Sequence, residues 1–288
     1  MKNIFITECP RDAMQGIKDW IPTKLKSDYL NELLKVGFEV LDFGSFVSPK
    51  AIPQLKDTAE VLTNLDLENT STNLLSIVAN KRGAENACAF DEISVLGFPF
   101  SISEEFQQRN TNSSLEESLS RVEEIKSLTD KNNKELVIYL SMAFGNPYGE
   151  HWNTEVALHW CQALSDKLEI NNIALSDTIG VSNPENISTL FSAVNEEFDK
   201  INFGAHLHTT PDTWKEKITA ALDNGCIRFD GALKGYGGCP MAADELTGNM
   251  ATEHIISVLN ERELSHSVNM TKLGSAIKKS AEIFNTYH

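Results

Sequence analysis

The sequence contains no apolar run approaching the ~20 residues that a membrane-spanning helix needs, which excludes a membrane protein of that kind. Basic residues are also few, since 25 Lys and Arg stand against 41 Asp and Glu and give a formal net charge of −16. A surface of this charge repels nucleic-acid phosphates, and no basic stripe offsets it. We therefore expect neither nucleic acid nor a membrane among the partners of this chain.

Disulfide and linker signals are missing as well. The five cysteines are odd in number and show no CxxC spacing, and the N-terminal stretch Asn3–Ile6 reads as a strand rather than as a secretory signal. These features predict reduced thiols and a cytoplasmic location. No linker or shift in composition divides the 288 residues. We expect a single domain over residues 1–288.

Short apolar runs alternate with helical patterns along the whole chain. The eight predicted strands are Ile4–Thr7, Phe38–Phe43, Leu74–Val78, Glu92–Leu96, Glu135–Leu140, Asn172–Leu175, Ile201–His206 and Cys226–Asp230. Eight strand–helix units at a pitch of about 30 to 40 residues are what an α/β fold of the (β/α)8 TIM-barrel type requires. An open, doubly wound sheet has the same alternation and is the alternative. The tail from about residue 270 to residue 288 predicts an extra C-terminal helix packed on the barrel.

The sharpest chemical signal is a pair of histidines where the seventh strand ends. Alternate residues of a strand face the same side, so His206 and His208 can reach one ion. Asp12 and Asn249 follow other strands and add oxygen ligands, a set that suits Mg²⁺ or Mn²⁺ and is also compatible with Zn²⁺. An HxH sequence taken alone is more often accidental or structural. The Asp and the Asn at the expected places favour the metal.

Three more side chains at the same end of the predicted barrel have candidate roles. Arg11 offers a planar cation for a carboxylate or a developing enolate oxygen, although an ion pair with a neighbouring carboxylate is the common role of an arginine. Asp177 is a candidate general base or, with equal weight, a turn residue. Cys239 lies in a Gly-rich loop, where a thiol can act as an acid; an inert buried cysteine is the usual alternative.

Six motifs occur in a fixed order along the chain. They are PRDAMQ at Pro10–Gln15, SFVSPK at Ser45–Lys50, SDTIGV at Ser176–Val181, HLH at His206–His208, GGCP at Gly237–Pro240 and GNMATE at Gly248–Glu253. Together they resemble the hydroxymethylglutaryl-CoA lyases, within the wider group of metal-dependent TIM-barrel lyases and Claisen-type synthases. The resemblance runs from about Ile4 to about Leu273, and SFVSPK with GGCP points to the lyase branch.

The resemblance implies a retro-Claisen cleavage of 3-hydroxy-3-methylglutaryl-CoA to acetyl-CoA and acetoacetate, a step of leucine degradation. It implies a divalent metal, Mg²⁺ or Mn²⁺, held by Asp12, His206, His208 and Asn249. Arg11 would stabilise the enolate of the leaving thioester, and Cys239 would protonate its carbon. Either Asp177 or Asp42 would take the proton of the substrate hydroxyl.

The same resemblance extends to substrate binding and assembly. Gln15, Lys18 and Lys50 are expected at the acyl-CoA substrate, with the two lysines near the CoA phosphates unless they are ordinary solvated side chains. Glu253 is expected to support the catalytic residues from behind. The family commonly forms dimers, so a homodimer is expected as well.

Several positions depart from the pattern of the family. Thr209 follows the second histidine where the family has Asp or Asn, and Thr7 replaces an acid, with Glu8 one place later and facing the other way. Asp42 stands where the family has a longer Glu, and the loop at 144–148 lacks the usual cysteine. These changes leave two alternatives open: a related metal-dependent aldolase or lyase for another 3-hydroxy acid or its CoA ester, and a non-catalytic metal-binding barrel.

Overall fold

A parallel sheet that closes on itself forms the centre of the computed structural model, which describes residues 3–238 and 247–287. The strands of the described part, in chain order, are β1 (Phe5–Glu8), β2 (Val40–Ser45), β3 (Asn73–Ile77), β4 (Ile93–Ser101), β5 (Glu135–Ser141), β6 (Asn172–Ser176), β7 (Asn202–His206), β8 (His208–Thr209), β9 (Arg228–Gly231) and β10 (Gly248–Asn249). β1 pairs in parallel with both β2 and β9, which closes the barrel in the order β1-β2-β3-β4-β5-β6-β7-β9. The predicted (β/α)8 barrel is confirmed, and the open sheet is excluded.

Helices connect the strands around the outside of the barrel. In the described part they are α1 (Pro10–Gln15), α2 (Thr23–Leu34), α3 (Thr58–Thr63), α4 (Lys81–Cys88), α5 (Glu104–Thr111), α6 (Leu115–Lys131), α7 (Thr154–Leu168), α8 (Pro184–Glu197), α9 (Trp214–Asp223), α10 (Thr252–Glu261) and α11 (Met270–Phe284). Local chemistry sets several boundaries: Ser114 and Glu117 form a capping box at the start of α6, and Pro184 begins α8 behind the cap residue Asn183.

Two predicted helices differ from the structure. The helical pattern over residues 52–62 predicts one helix, whereas the structure has a 3₁₀ turn at Pro53–Leu55 followed by the short α3. The sequence pattern predicts the last barrel helix from about Glu245 to Leu259, whereas within the described residues it begins at Thr252. The reason is that Gly248 and Asn249 are extended and pair with Thr209 and His208.

Alternation along the strands separates two apolar layers. Outward-facing residues such as Ile6, Leu41 and Phe43 pack against the helices in the main core. A second, smaller cluster fills part of the barrel interior, and its buried members are Leu75, Ile77, Val95, Val137, Tyr139 and Ala174. The remaining interior, next to β1, β2, β7 and β9, is polar, and this difference determines where charged chemistry is placed.

The C-terminal helix α11 packs against the barrel, as the sequence predicts. Phe284 contacts Tyr29 of α2 edge to face at 6.2 Å and stacks on Tyr236 at 4.4 Å. Because Tyr236 lies in the segment after β9, α11 supports a loop at the C-terminal end of the barrel. Among the described residues, no helix combines the length and the apolar character needed to cross a membrane.

Candidate metal centre and substrate cavity

A cavity of about 620 Å³ lies at the C-terminal end of the barrel, where the loops after the strands meet. One side of its wall is polar and includes Arg11, Asp12, His206 and His208. The opposite side includes Ile77 and apolar atoms of neighbouring strands. The volume is that of a site for a small molecule or for the reactive part of a larger one.

The four predicted metal ligands come together at the polar wall. Ligand atoms of Asp12, His206 and His208 all lie within 4.8 Å of one another. The Asn249 amide donates to Asp12 Oδ2 at 2.7 Å and to the Tyr236 carbonyl at 2.9 Å. The pairing of β10 with β8, which sets Asn249 opposite His208, brings these distant parts of the chain together.

Hydrogen bonds orient the two imidazole rings. His208 Nδ1 lies 3.0 Å from the carbonyl oxygen of Thr178, so it donates there, and the buried Nε2 atom has no partner among the described residues. His206 Nδ1 lies 3.2 Å from Asp230 Oδ2, which fixes that ring in the same way. An unpaired, buried nitrogen lone pair beside a carboxylate is what a divalent cation requires, so these residues fit a metal.

The charges around this centre shift its pKa values. Burial raises the pKa of Asp12, but the Arg11 guanidinium and the two imidazoles outweigh it and hold that pKa below its usual range. Burial and His206 together lower the pKa of His208. For His206, burial lowers the pKa, yet the hydrogen bond to Asp230 and the charges of Asp230 and Asp12 together outweigh burial and raise it. These shifts favour the anionic form of Asp12 and the neutral form of His208, the forms in which both bind cations.

Arg11 lies on the short helix α1, and two carboxylates hold its guanidinium, Asp12 from the same helix and Asp42 from β2. Its Nη2 atom donates to Asp42 Oδ2 at 2.6 Å and its Nε to Asp42 Oδ1 at 3.1 Å, while Nη1 donates to Asp12 Oδ1 at 3.0 Å and to Gln15 Oε1 at 2.9 Å. Gln15 in turn donates to Asp12 at 2.6 Å. The ion pair that the sequence left as an alternative is thus present, and Arg11 also lines the cavity.

Asp42 lies behind Arg11 and is fully buried. Burial outweighs the attraction of Arg11 and raises the pKa of Asp42 to about 6. It does not line the cavity among the described residues. Its contacts therefore make it a support for Arg11, and its role as a base for the substrate stays a prediction.

Asp177 is also set behind the wall. Its carboxylate accepts from Lys217 Nζ at 3.1 Å and from the Ser182 amide at 3.1 Å, and the Ser182 hydroxyl donates to it as well. Lys217 also donates to the His208 carbonyl at 2.8 Å. Asp177 and Lys217 together fasten the loop after β6 to the strand that carries His208.

Two residues expected at the substrate are outside the cavity lining. Lys18 and Lys50 are exposed and do not line the cavity. Lys18 follows the last turn of α1, and Lys50 lies in an exposed turn. Glu253 accepts from the Lys234 amide at 3.0 Å, in the segment after β9, and its expected role as a support stays a prediction. Cys239 lies outside the described residues.

Sequence reasoning missed Asp230, Lys217 and two arginines of the cavity wall. Asp230 follows the same rule as the other candidates, since it is a carboxylate near the end of β9. Lys217 shares the apolar face of α9 with Ile218 and Ala221, where a lysine is unusual enough to predict a buried partner. Arg109 and Arg121 line the outer cavity, from α5 and α6; no local pattern distinguishes them from surface arginines.

Comparisons with known proteins agree on one group. The HMGL-like family matches residues 3–279. Hydroxymethylglutaryl-CoA lyase YngG of Bacillus subtilis is 35% identical over 280 residues, which cover 96% of this chain and 92% of that protein. The crystal structure of the Bacillus subtilis HMG-CoA lyase superimposes with a TM-score of 0.92 at 33% identity and covers 99% of this chain and 95% of its own.

A third comparison includes a bound ligand. The HMG-CoA lyase of Acinetobacter baumannii, in complex with coenzyme A and 3-methylmalate, superimposes with a TM-score of 0.89 at 28% identity. The match covers 99% of this chain and 92% of that one. That protein therefore holds coenzyme A and 3-methylmalate on the same fold.

Proposed function

The chain belongs to the HMGL-like family, and from that membership we propose how its residues act in a hydroxymethylglutaryl-CoA lyase. It is a carbon–carbon lyase that cleaves 3-hydroxy-3-methylglutaryl-CoA to acetyl-CoA and acetoacetate. The relatives are HMG-CoA lyases, so the alternative of a non-catalytic barrel is wrong. For the same reason, the alternative of a lyase for another 3-hydroxy acid is not favoured. We assign the reaction to residues of the polar cavity wall and of the loops around it.

Asp12, His206, His208 and Asn249 would hold a divalent metal ion, and we assign Mg²⁺ or Mn²⁺ to it. The observation that carries this proposal is His208 Nε2, which is buried beside the Asp12 carboxylate and has no partner within the part of the chain that the structure describes. An oxygen-rich set with two imidazoles suits these ions. When bound, such an ion polarises the oxygen atoms of a substrate and favours loss of a hydroxyl proton.

Arg11 would stabilise the negative charge that develops on the thioester oxygen as the carbon–carbon bond breaks. Its guanidinium is fixed on one edge by Asp42, so it needs little reorganisation when the charge appears. Gln15 would orient both Arg11 and Asp12, since it contacts each of them. Cys239, which follows β9 in the sequence, is assigned as the acid that protonates the enolate carbon.

The cavity divides the substrate between its two walls. The hydroxy acid would lie at the polar wall, whereas Ile77 and Pro99 would contact the apolar atoms next to the thioester. Arg109 and Arg121 line the outer cavity and are the cations we assign to the CoA phosphates. This proposal replaces Lys18 and Lys50, which do not line the cavity.

The proton acceptor for the substrate hydroxyl is tested by comparing Asp42→Asn with Asp177→Asn. The contacts of both acids favour positioning: Asp42 holds Arg11, and Asp177 holds Lys217. If the replaced acid is the base, the variant should lose turnover at every pH and retain its metal affinity. If the acid is a support, the variant should instead bind the ion or the substrate differently.

The proposal as a whole is tested by release of acetyl-CoA from 3-hydroxy-3-methylglutaryl-CoA with Mg²⁺ or Mn²⁺, and again after chelation. We expect turnover that chelation abolishes, that is lost in Asp12→Ala and that drops sharply in Cys239→Ser. Asp28→Ala, which removes an exposed carboxylate paired with Lys24, serves as the matched control. Turnover that survives chelation, or that survives in Asp12→Ala, would disprove the metal site.

The cellular setting follows from the same assignment. We propose that residues 1–288 act as one catalytic domain, in the cytoplasm, as a homodimer and in leucine degradation. Gel filtration at two concentrations tests the dimer. Loss of growth on leucine as carbon source after deletion tests the degradative role.

A further inference from the structure

A second group of possible metal ligands lies directly next to the predicted ion site. Atoms of Cys9, His206 and Asp230 all lie within 4.8 Å of one another. Cys9 is 1% exposed, between β1 and α1, and Asp230 is 3% exposed, on β9. His206 belongs to both groups, and Nδ1, its atom nearest Asp230, is 3.2 Å from Asp230 Oδ2.

This second group has ligand atoms that the protein itself does not satisfy. Asp230 Oδ1 is buried without a hydrogen-bond partner in the described residues. Within residues 3–238 and 247–287, the hydrogen bond of the Cys9 thiol is a long one of 3.8 Å, to the carbonyl of Thr7. Arg228, two residues before Asp230 on β9, does not compensate, because its Nε and Nη2 atoms also have no partner in these ranges. A buried carboxylate oxygen with no donor is costly unless a cation approaches it.

The kinds of ligand atom decide which cation fits. A thiolate, an imidazole nitrogen and a carboxylate oxygen form a set that Zn²⁺ binds, with water as a fourth ligand. Mg²⁺ is a hard ion that selects oxygen, so it belongs with Asp12 and Asn249 rather than with Cys9. We propose that Cys9, His206 and Asp230 form a second metal site, selective for Zn²⁺, beside the site of the catalytic ion.

Binding at this site requires that two protons move. The Cys9 thiol releases its proton to solvent as the sulfur atom binds the ion. The His206 Nδ1 atom gives up the proton that it shares with Asp230, and in a neutral ring that proton moves to Nε2. A ring protonated on Nε2 cannot also bind the catalytic ion through that atom. Zn²⁺ at the second site therefore opposes Mg²⁺ or Mn²⁺ at the first, a consequence that rests on the proposed function, whereas the Zn²⁺ site itself does not.

The site is tested with Co²⁺ as a spectroscopic substitute for Zn²⁺, on the full chain after chelation. A thiolate ligand produces a near-ultraviolet charge-transfer band, which we expect in the unchanged protein and in Cys239→Ser. The band should be absent from Cys9→Ser, which keeps the volume of the side chain. Cys226→Ser, at another buried thiol, is the matched control and should keep the band. Circular dichroism confirms that each variant is folded.

Several results of the Co²⁺ experiment would overturn the proposal. No thiolate band in the unchanged protein, or a band that persists in Cys9→Ser and disappears in Cys239→Ser, would overturn the proposal. Asp230→Asn should weaken Co²⁺ binding at least about 10-fold, because a carboxylate ligand becomes a neutral amide. Unchanged affinity in that variant would also contradict the site.

A separate measurement tests whether the two metal sites share His206. Electron paramagnetic resonance of free Mn²⁺ reports the affinity of the first site, and one equivalent of Zn²⁺ should weaken that affinity about 10-fold or more. In Cys9→Ser the same addition should have a smaller effect. Equal effects in both proteins would disprove the coupling. Failure of acetyl-CoA release, with the Cys9 band present, would instead count against the proposed function alone.

Discussion

The two halves of the barrel interior differ in what fills them. Strands β3 to β6 contribute a packed apolar cluster that includes Leu75 and Val137. Strands β1, β2, β7 and β9, with the loops that follow, contribute the charged groups, among them Asp42, His206 and Asp230. Tyr139 marks the boundary, because it belongs to the apolar cluster and meets the His206 ring edge to face at 5.5 Å.

The difference shows how one barrel divides stability and chemistry. The apolar half removes hydrocarbon from water and stabilises the fold. The polar half buries charges that must be neutralised by one another, and it leaves His208 Nε2 and Asp230 Oδ1 without partners among the described residues. We therefore expect substitutions in the apolar half to change folding alone, whereas those in the polar half also change ion binding and turnover.

Arg11→Gln should have the largest effect, because Asp12 and Asp42 then face each other without a cation. Loss of one partner from a buried ion pair costs about 3–5 kcal/mol, and loss of a charge-stabilising donor lowers turnover about 10²–10³-fold. Urea unfolding and acetyl-CoA release measure the two effects. The double variant Arg11→Gln, Asp42→Asn should recover part of the stability and none of the turnover. Recovery of both would contradict a role for Arg11 in the reaction.

Leu75→Ala tests the apolar half with a large effect on stability only. Leu75 is 1% exposed, and deletion of a buried leucine side chain costs about 2–5 kcal/mol. The affinity for Mn²⁺, measured by titration under conditions where the variant is folded, should match that of the unchanged protein. A loss of Mn²⁺ affinity as large as that of Asp12→Ala would show that the two halves are not independent.

Asp230→Asn should have an intermediate effect, confined to ion binding. Its Oδ2 atom orients His206, and loss of such a partner behind a metal ligand typically lowers metal affinity about 10–100-fold. We expect that range for Mn²⁺ and only a small change in the urea midpoint. Asp199→Asn, an exposed carboxylate, is the control. Unchanged Mn²⁺ affinity would mean that His206 needs no partner on Nδ1.

Much of this division was predictable from the sequence, and the reason is geometric. Apolar runs mark the strands, and barrel closure then places every strand end at one face, so Asp12 and Asn249, 237 residues apart, were expected together. The imidazoles of His206 and His208 are two residues apart, a spacing that a strand converts directly into proximity. The α/β barrel and its C-terminal helix follow from the same reasoning.

The hydrogen-bond partners and the exposure of residues in and near the loops were not predictable from the sequence. Thr209 replaces the acid that the family has after the second histidine, yet His208 finds its partner in the carbonyl of Thr178, and main-chain atoms carry no sequence signal. Lys18 follows the end of α1, and Lys50 lies in a turn after β2. The exposure of each lysine depends on where these elements end, within one or two residues. A lysine on the apolar face of α9 predicts a buried partner for Lys217, but only the structure identifies that partner as Asp177.

The smallest expected change concerns Glu8, which β1 directs away from the cavity. Burial, outweighing its hydrogen bonds, raises the pKa of Glu8 from 4.5 to about 8. Between these values the folded chain keeps a proton that the unfolded chain releases. The stability that Glu8 contributes is therefore complete below pH 4.5 and is lost as the pH rises through 8, by about 1.4 kcal/mol per pH unit.

Glu8→Gln should remove this pH dependence and keep the contacts. The amide oxygen can accept from the Leu233 amide, which lies 2.8 Å from the present carboxyl, and the amide nitrogen can donate to the Thr252 hydroxyl. Urea unfolding at pH 6 and pH 7 should show the variant gaining about 1.4 kcal/mol on the unchanged protein between the two. The exposed Glu60→Gln controls for loss of one carboxylate. Parallel curves would mean that Glu8 is ionised in the folded chain. A buried charge would then lie outside the barrel interior as well, between β1 and α10.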